Sequence, residues 1–242
     1  MKSFFVTATD TDAGKTEVAA LVLKALAMQG YTSIAMKPIA AGCELETVGT
    51  ATETSQQLRN SDALTLQKNA TVSLPYEQVN PFAYAPPIAP HIAATLSSDS
   101  PTPSVASLLQ AYTKLTEMDA DILLCEGAGG WQLPINENEY LADFVVAAQM
   151  PVILVVSMRL GCINHALLTA MAIRARGLPI AGWVANQANP EQMPFYQENI
   201  ASIAQRIGAP LLAEVPYFTV THDQWLAGEL AKPQNMLTIL GL

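Results

Sequence analysis

The chain has 242 residues, half of them hydrophobic, and a formal net charge of -9 at pH 7. The length suits one α/β domain over residues 1–242, with enough apolar side chains for a substantial core. The acidity disfavours unspecific attraction to nucleic acid or anionic lipid, because both bind through neutralised phosphates.

The first predicted element is a strand, Ser3 to Val6. It leads into Thr7-Ala8-Thr9-Asp10-Thr11-Asp12-Ala13-Gly14-Lys15-Thr16 and then a helix-periodic segment, Glu17 to Met28. A strand that opens through small residues into a helix aims backbone N–H groups and the helix dipole at one point, where an anion can sit. In such a phosphate loop Gly14 admits the phosphates, Lys15 reaches their outer oxygens and the Thr16 hydroxyl faces a Mg²⁺. The glycine that usually opens the loop is absent, since Ala8 and Thr9 stand there.

Further buried strands are predicted at Ser33 to Met36, Asp121 to Cys125, Pro151 to Val156, Ile180 to Ala185 and Leu211 to Val215. Amphipathic segments separate them. This alternation predicts a mostly parallel sheet covered by helices on both faces, the three-layer architecture of P-loop NTPase-like folds. Gly42 to Arg59 and Ser97 to Pro103 read as surface loops. Leu141 to Met158 is the most apolar stretch, but Asp143, Gln149 and Pro151 interrupt it. It reads as a helix followed by a buried strand and not as a membrane span. The N-terminal apolar run is too short for a signal-peptide core.

Ligands in open α/β sheets bind beyond the carboxyl ends of the strands. Lys37-Pro38 closes the second strand and puts an ammonium near the phosphate loop if that strand is its neighbour; a solvated strand end is the other reading. Glu126 closes the third strand ahead of Gly127-Ala128-Gly129-Gly130, which suits a metal-binding acid with room for a ligand, or else a plain glycine turn. Gly161 would open a helix whose free N–H groups can receive a carboxylate. Asn186 ends the next strand with a donor and an acceptor that suit a purine edge. The last strand runs into Pro216-Tyr217-Phe218, where Tyr217 packs or binds.

Cys43, Cys125 and Cys162 are widely spaced and odd in number. They argue against a disulfide framework or a zinc cluster, and for a reducing cytoplasmic compartment. His91, His165 and His222 have no metal-ligand spacing.

Taken together, several segments make the chain similar to the dethiobiotin synthetase family, and they cover nearly its full length. They are Thr9 to Thr16, Lys37-Pro38-Ile39-Ala40, Leu58 to Leu64 with Arg59-Asn60-Ser61-Asp62, and Asn80-Pro81. Glu126 to Trp131, Leu160 to Ala166 with Gly-Cys-Ile-Asn-His, and Gly182 to Asn186 complete the set. The resemblance implies an ATP-dependent cyclo-ligase that joins CO2 to 7,8-diaminononanoate (diaminopelargonate) and closes a urea ring, in biotin synthesis. It implies Asp12, Ala13, Gly14, Lys15, Thr16 and Glu17 around the triphosphate, with Asp62, Glu126, Gly127, Ala128 and Gly129 beside it. Asn186, Gln187, Pro216, Tyr217 and Phe218 would hold the adenine side. Thr16, Asp62 and Glu126 would hold Mg²⁺, and Lys37, Thr11 and Lys15 would act on the reacting groups. Ala41 would face substrate, and the N–H groups of Cys162, Ile163 and Asn164 would meet the substrate carboxylate across a homodimer.

Three residues depart from the family pattern. Ala8 and Ala13 replace a glycine and a valine in the loop, the first tolerable only if position 8 needs no positive φ. Ala41 replaces a serine and removes a hydroxyl hydrogen bond worth about 0.5–1.5 kcal/mol. A tyrosine expected after Asn186 has Tyr196 as its nearest candidate, out of register. Two other readings compete. A DNA-partitioning or division-site ATPase shares the fold, but its extra lysine early in the loop is missing between Ala8 and Asp12. A catalytically silent paralogue is disfavoured by Lys15, Lys37, Asp62 and Glu126.

Overall fold

The structure, a computed structural model, describes residues 1–49, 54–97, 101–218 and 222–242. Its first half runs β1 (Lys2–Ala8), α1 (Lys15–Met28), β2 (Ser33–Met36), β3 (Ile39–Ala41), β4 (Glu44–Gly49), β5 (Thr54–Arg59), α2 (Ser61–Asn69), α3 (Tyr76–Val79), β6 (Phe82–Tyr84) and α4 (Pro90–Leu96). The second half runs α5 (Val105–Thr116), β7 (Ile122–Glu126), α6 (Leu141–Ala147), β8 (Val152–Ser157), α7 (Cys162–Ala175), β9 (Ile180–Asn186), α8 (Tyr196–Ile207), β10 (Leu211–Val215), α9 (His222–Leu230) and α10 (Met236–Ile239).

A six-stranded parallel sheet in the order β10-β9-β8-β1-β7-β2 forms the centre. Parallel strands covered on both faces are apolar at successive positions, and β8 is buried at every residue. Alternate side chains feed two cores. Phe5, Leu154 and Val156 pack with α5 to α8 through Leu108, Phe144, Ile173 and Ile203. Phe4, Val6, Ile153 and Val155 pack with α1, α9 and α10 through Leu21, Leu226 and Leu237.

All six predicted strands are present, with ends within two residues of those read from the sequence. Leu141–Met158 is resolved into α6 and β8, and among the described residues no helix is long and apolar enough to cross a membrane. One expectation needs correction, one strand pair is new, and one condition set by the sequence is not met. Within Gly42 to Arg59, residues 50–53 lie outside the described residues, and Glu44–Gly49 and Thr54–Arg59 are mostly exposed but pair as an antiparallel hairpin, β4 with β5, rather than forming a loop. β3 and β6 add a second small parallel pair that the sequence did not announce. β2 is not a neighbour of β1, because β7 lies between them. Within Ser97 to Pro103, residues 98–100 lie outside the described residues, and the rest has no regular structure.

Candidate active site

The cleft lies over the carboxyl ends of β1 and β7, where the chain leaves one half of the sheet for the other. Helix α1 begins directly at Lys15, two residues earlier than its periodicity suggested. Gly14 precedes it at φ 85, and a Cβ there would lie 2.0 Å from the Asn186 amide nitrogen. Conformation and space thus both demand glycine. The loop's other left-handed residue is Asp12, at φ 56. Ala8 is an ordinary buried strand residue outside that region, so the departure at position 8 causes no strain.

Lys37 is the hub of the cleft floor. It directly follows β2, and its side chain reaches the end of the neighbouring β7, where Glu126 links it to Thr16 at the end of the loop. Lys37 Nζ donates to Glu126 Oε1 at 2.5 Å, to Asp62 Oδ2 at 2.9 Å and to the Gly127 carbonyl at 3.1 Å. The Thr16 hydroxyl donates to the same Glu126 Oε1 at 2.9 Å. Lys37 is 2% exposed and Glu126 0%. Burial by itself would lower the Lys37 pKa, but the Glu126 and Asp62 carboxylates outweigh it and the net shift is upward. For Asp62, burial pushes upward, while Lys37 and the Thr16 hydroxyl bring the net value below the ordinary carboxylate range. Burial lowers the Lys15 pKa, and the Lys37 ammonium adds to the effect against Glu126, Asp62 and Asp12. Two ammonium groups forced together in this way favour a polyanionic ligand between them.

The supporting residues extend the cluster. Asn60 caps α2, its side chain accepting from the Asp62 and Ala63 N–H groups, and it donates to the Ala41 carbonyl at 3.4 Å. Asn80 Nδ2 donates to the Lys37 carbonyl at 2.7 Å, and the Lys37 N–H donates to Val79 O at 2.7 Å, so the Lys37 backbone is held from two sides.

Of the residues read from the sequence, Thr11, Asp12, Gly14, Lys15, Thr16, Glu17, Lys37, Ala41, Asp62, Ala128 and Gly129 line one cleft of about 870 Å³. Glu126 and Gly127 accept from the lining residue Lys37, and the buried Ala13 carbonyl accepts from Asn186. Gln187 and Pro216 to Phe218 lie apart, at the ends of β9 and β10, where the Gln187 N–H donates to Val215 O at 2.9 Å. Tyr217 is exposed, and Phe218 meets His222 and Trp225 edge to face.

Two residues stand differently from expectation. Asn186 does not present its whole amide to a base: it is fully buried, and its Nδ2 donates to the Ala13 carbonyl at 2.8 Å. The Cys162 N–H is engaged by the Arg159 carbonyl at 2.9 Å, which leaves Ile163 and Asn164 as the candidates at the start of α7. Tyr196 is buried in the core and does not reach the cleft.

Sequence reasoning missed the apolar residues that line the same cleft as the lysines, Pro87 to Pro90 with Leu133. The proline density of Pro86-Pro87-Ile88-Ala89-Pro90 was an available signal of a rigid segment. It also missed Arg159, which pairs with Asp10 of the loop, and His222, which meets Glu17 at 3.1 Å.

Phosphate loop, acidic strand end and parallel sheet define a P-loop NTPase-like protein. Among solved structures, a ParA family ATPase from Chlorobium tepidum TLS matches with a TM-score of 0.54 and 13% identity, covering 99% of this chain and 97% of that one. The septum site-determining protein MinD complexed with Mg-ADP from Pyrococcus horikoshii OT3 matches with a TM-score of 0.52 and 15% identity, covering 98% and 93%. These likenesses concern the fold alone. A family model described as an AAA domain matches residues 2–224. The ATP-dependent dethiobiotin synthetase BioD of Cellvibrio japonicus is 52% identical over 215 residues, 89% of each chain. Its counterparts in Pseudoalteromonas translucida and Aeromonas hydrophila are 49% identical, over 90% of this chain and 91% of that one, and 45% identical, over 95% and 97%. The chain belongs to the ATP-dependent dethiobiotin synthetase family.

Because the Asp62 pKa is lowered on folding, the folded chain binds fewer protons there than the unfolded one. The resulting stability is present above the ordinary value of 3.8 and is lost as pH falls through the folded value. Urea unfolding should find wild type more stable than Asp62→Asn near neutrality, with the gap closing below pH 3.8. A gap independent of pH would contradict the Lys37–Asp62 pairing.

Proposed function

We propose that the cleft lined by the two lysines and Pro87 to Pro90 is where this family's reaction takes place, with residues 1–242 acting as one catalytic domain. The enzyme is an ATP-dependent ligase of biotin synthesis. CO2 adds to one amine of diaminopelargonate with loss of a proton. A carbamate oxygen then attacks the γ-phosphorus, and the bond to the ADP oxygen breaks. The second amine attacks the carbonyl carbon and phosphate leaves, closing the ring.

The observation that carries this placement is the pair of buried lysines, Lys15 and Lys37, lining one cleft together with an apolar segment, Pro87 to Pro90. Negative charge builds up on carbamate and phosphoryl oxygens, so catalysis here is positioning plus cationic stabilisation. Lys15 and the N–H groups of the loop from Asp12 to Glu17 hold the triphosphate. Lys37 and Thr11 act where the carbamate meets the γ-phosphate. Ala41, Pro87 to Pro90 and Leu133 lie along the alkyl chain. Gly127, Ala128 and Gly129 leave room beside the phosphates. Gln187 and Pro216 to Phe218 border the adenine, and Asn186 braces the loop. The Asn186 Oδ1 is buried without a partner among the described residues, an acceptor that an exocyclic amine would satisfy.

Mg²⁺ fits the same floor. Thr16, Asp62 and Glu126 offer the hard oxygen donors that this ion takes, and Glu126 Oε2 is buried without a hydrogen-bond partner among the described residues. When bound, the ion neutralises phosphoryl charge.

A homodimer is supported by α7. Leu160 is 95% exposed, Leu168 56% and Met171 65%, an apolar strip beside Asn164 that a second copy would cover. The N–H groups of Ile163 and Asn164 in one chain then receive the substrate carboxylate of the other. Three free, buried cysteines support a reducing cytoplasm.

Two measurements test these roles. Wild type should release ADP only with diaminopelargonate and CO2 present, and Lys37→Gln should lower kcat about 100- to 1000-fold, with nucleotide affinity not weakened by more than a few fold. Near wild-type turnover in the variant would remove Lys37 from the chemistry. The methyl ester of the substrate should bind about two- to thirtyfold more weakly than the acid, the range of a charge at a helix terminus. An ester that binds equally well would remove Ile163 and Asn164 from the site.

A further inference from the structure

The Lys37 ammonium has three N–H donors, and all three are used on the floor of the cleft: on Glu126 Oε1, Asp62 Oδ2 and the Gly127 carbonyl. None remains for a phosphoryl or carbamate oxygen. Two of its three acceptors are the carboxylates just proposed to hold the divalent cation, and the third proposed ligand, Thr16, bonds to the same Glu126 oxygen. A dication on these oxygens would sit a few ångströms from the ammonium, inside a buried floor where like charges repel strongly.

We infer that Lys37 and the divalent cation compete for Glu126 and Asp62, so that cation binding and the turning of Lys37 toward the substrate are one exchange. The inference rests on the metal assignment made above. The exchange is confined to the side chain. Asn80 and Val79 hold the Lys37 backbone from both sides, while the four-carbon stem can swing within the cleft that it lines. Lys15 is not part of the exchange, because its ammonium donates to the Asp10 carbonyl at 3.3 Å. Linkage makes the effect reciprocal. A triphosphate that draws Lys37 off the carboxylates strengthens cation binding, and the cation in turn releases Lys37 to the γ-phosphate. Catalytic cation and catalytic ammonium then reach the reacting oxygens together, only when nucleotide is bound.

The test uses Mn²⁺ alone, without nucleotide, and follows the unbound ion by electron paramagnetic resonance. Lys37→Met should bind Mn²⁺ about 5- to 150-fold more tightly than wild type, the usual range of coupling between sites. Adding Glu126→Gln should abolish the gain. Equal affinity in wild type and Lys37→Met would overturn the exchange. Since Lys37→Met brings two carboxylates together without a cation and could impair folding, wild type supplies an independent arm. A crystal structure with Mg²⁺ and a non-hydrolysable ATP analogue should show Lys37 Nζ released from Glu126, Asp62 or both. Mg²⁺ on Thr16, Asp62 and Glu126 with both Lys37 bonds intact would overturn the exchange and leave the metal assignment standing. Mg²⁺ held by other residues would defeat the assignment, and the exchange with it.

Discussion

The site depends on one buried ion pair, Lys37 with Glu126, at 2.5 Å and almost wholly out of water. Removing two charges from water costs several kcal/mol per ion, and attraction repays it only when the remaining hydrogen-bonding positions are filled. Here Asp62 and the Gly127 carbonyl complete the ammonium, and the Thr16 hydroxyl adds to Glu126 Oε1, while Glu126 Oε2 has no partner among the described residues. The cluster ties four parts of the chain to one point: the end of β2, the end of β7, the first turn of α2 and the first turn of α1. Hydrophobic packing builds the sheet, but this polar junction holds the first turn of α1 against the ends of β2 and β7.

A stable junction of this kind suits a cyclo-ligase better than a larger apolar core would. The reaction brings together a triphosphate, a carbamate and an amine, so positioning the reacting groups lowers its barrier. Burial and the nearby Lys37 ammonium both disfavour the charged form of Lys15, and an anion bound beside it relieves the conflict. The carboxylates beneath keep Lys37 charged despite its burial. In the proposed site, binding energy and catalytic charge come from the same few side chains, and Pro87 to Pro90 line the same cleft with little conformational freedom to lose.

The parallel strands were legible because burial on both faces leaves runs such as Val152 to Val156, which few other environments explain. β3 and β6, with three residues each, are too short to carry a period. The β4–β5 hairpin, mostly exposed on both faces, shows no apolar alternation to read. In the site, Lys15 and Thr16 were fixed by local spacing. The Lys37–Asp62 contact joins residues 25 apart and depends on strand order, which spacing does not reveal. Resemblance brought Asp62 into view before geometry did. Asn186 shows the opposite limit: its residue type suited a base edge, but only the fold could show that its donor had turned inward to Ala13.

The central claim is that Lys37 and Glu126 stabilise the site as a pair and not as two separate polar groups. A double-mutant cycle in urea unfolding, with Lys37→Met, Glu126→Gln and the two combined, measures this directly. Each single change leaves a charged partner stranded and should cost about 3–5 kcal/mol. The double variant should lose less than the sum by about 0.5–3 kcal/mol, since the second change removes the charge that the first left behind. Losses that add to within about 0.5 kcal/mol would show that the two groups act independently, and would contradict the account.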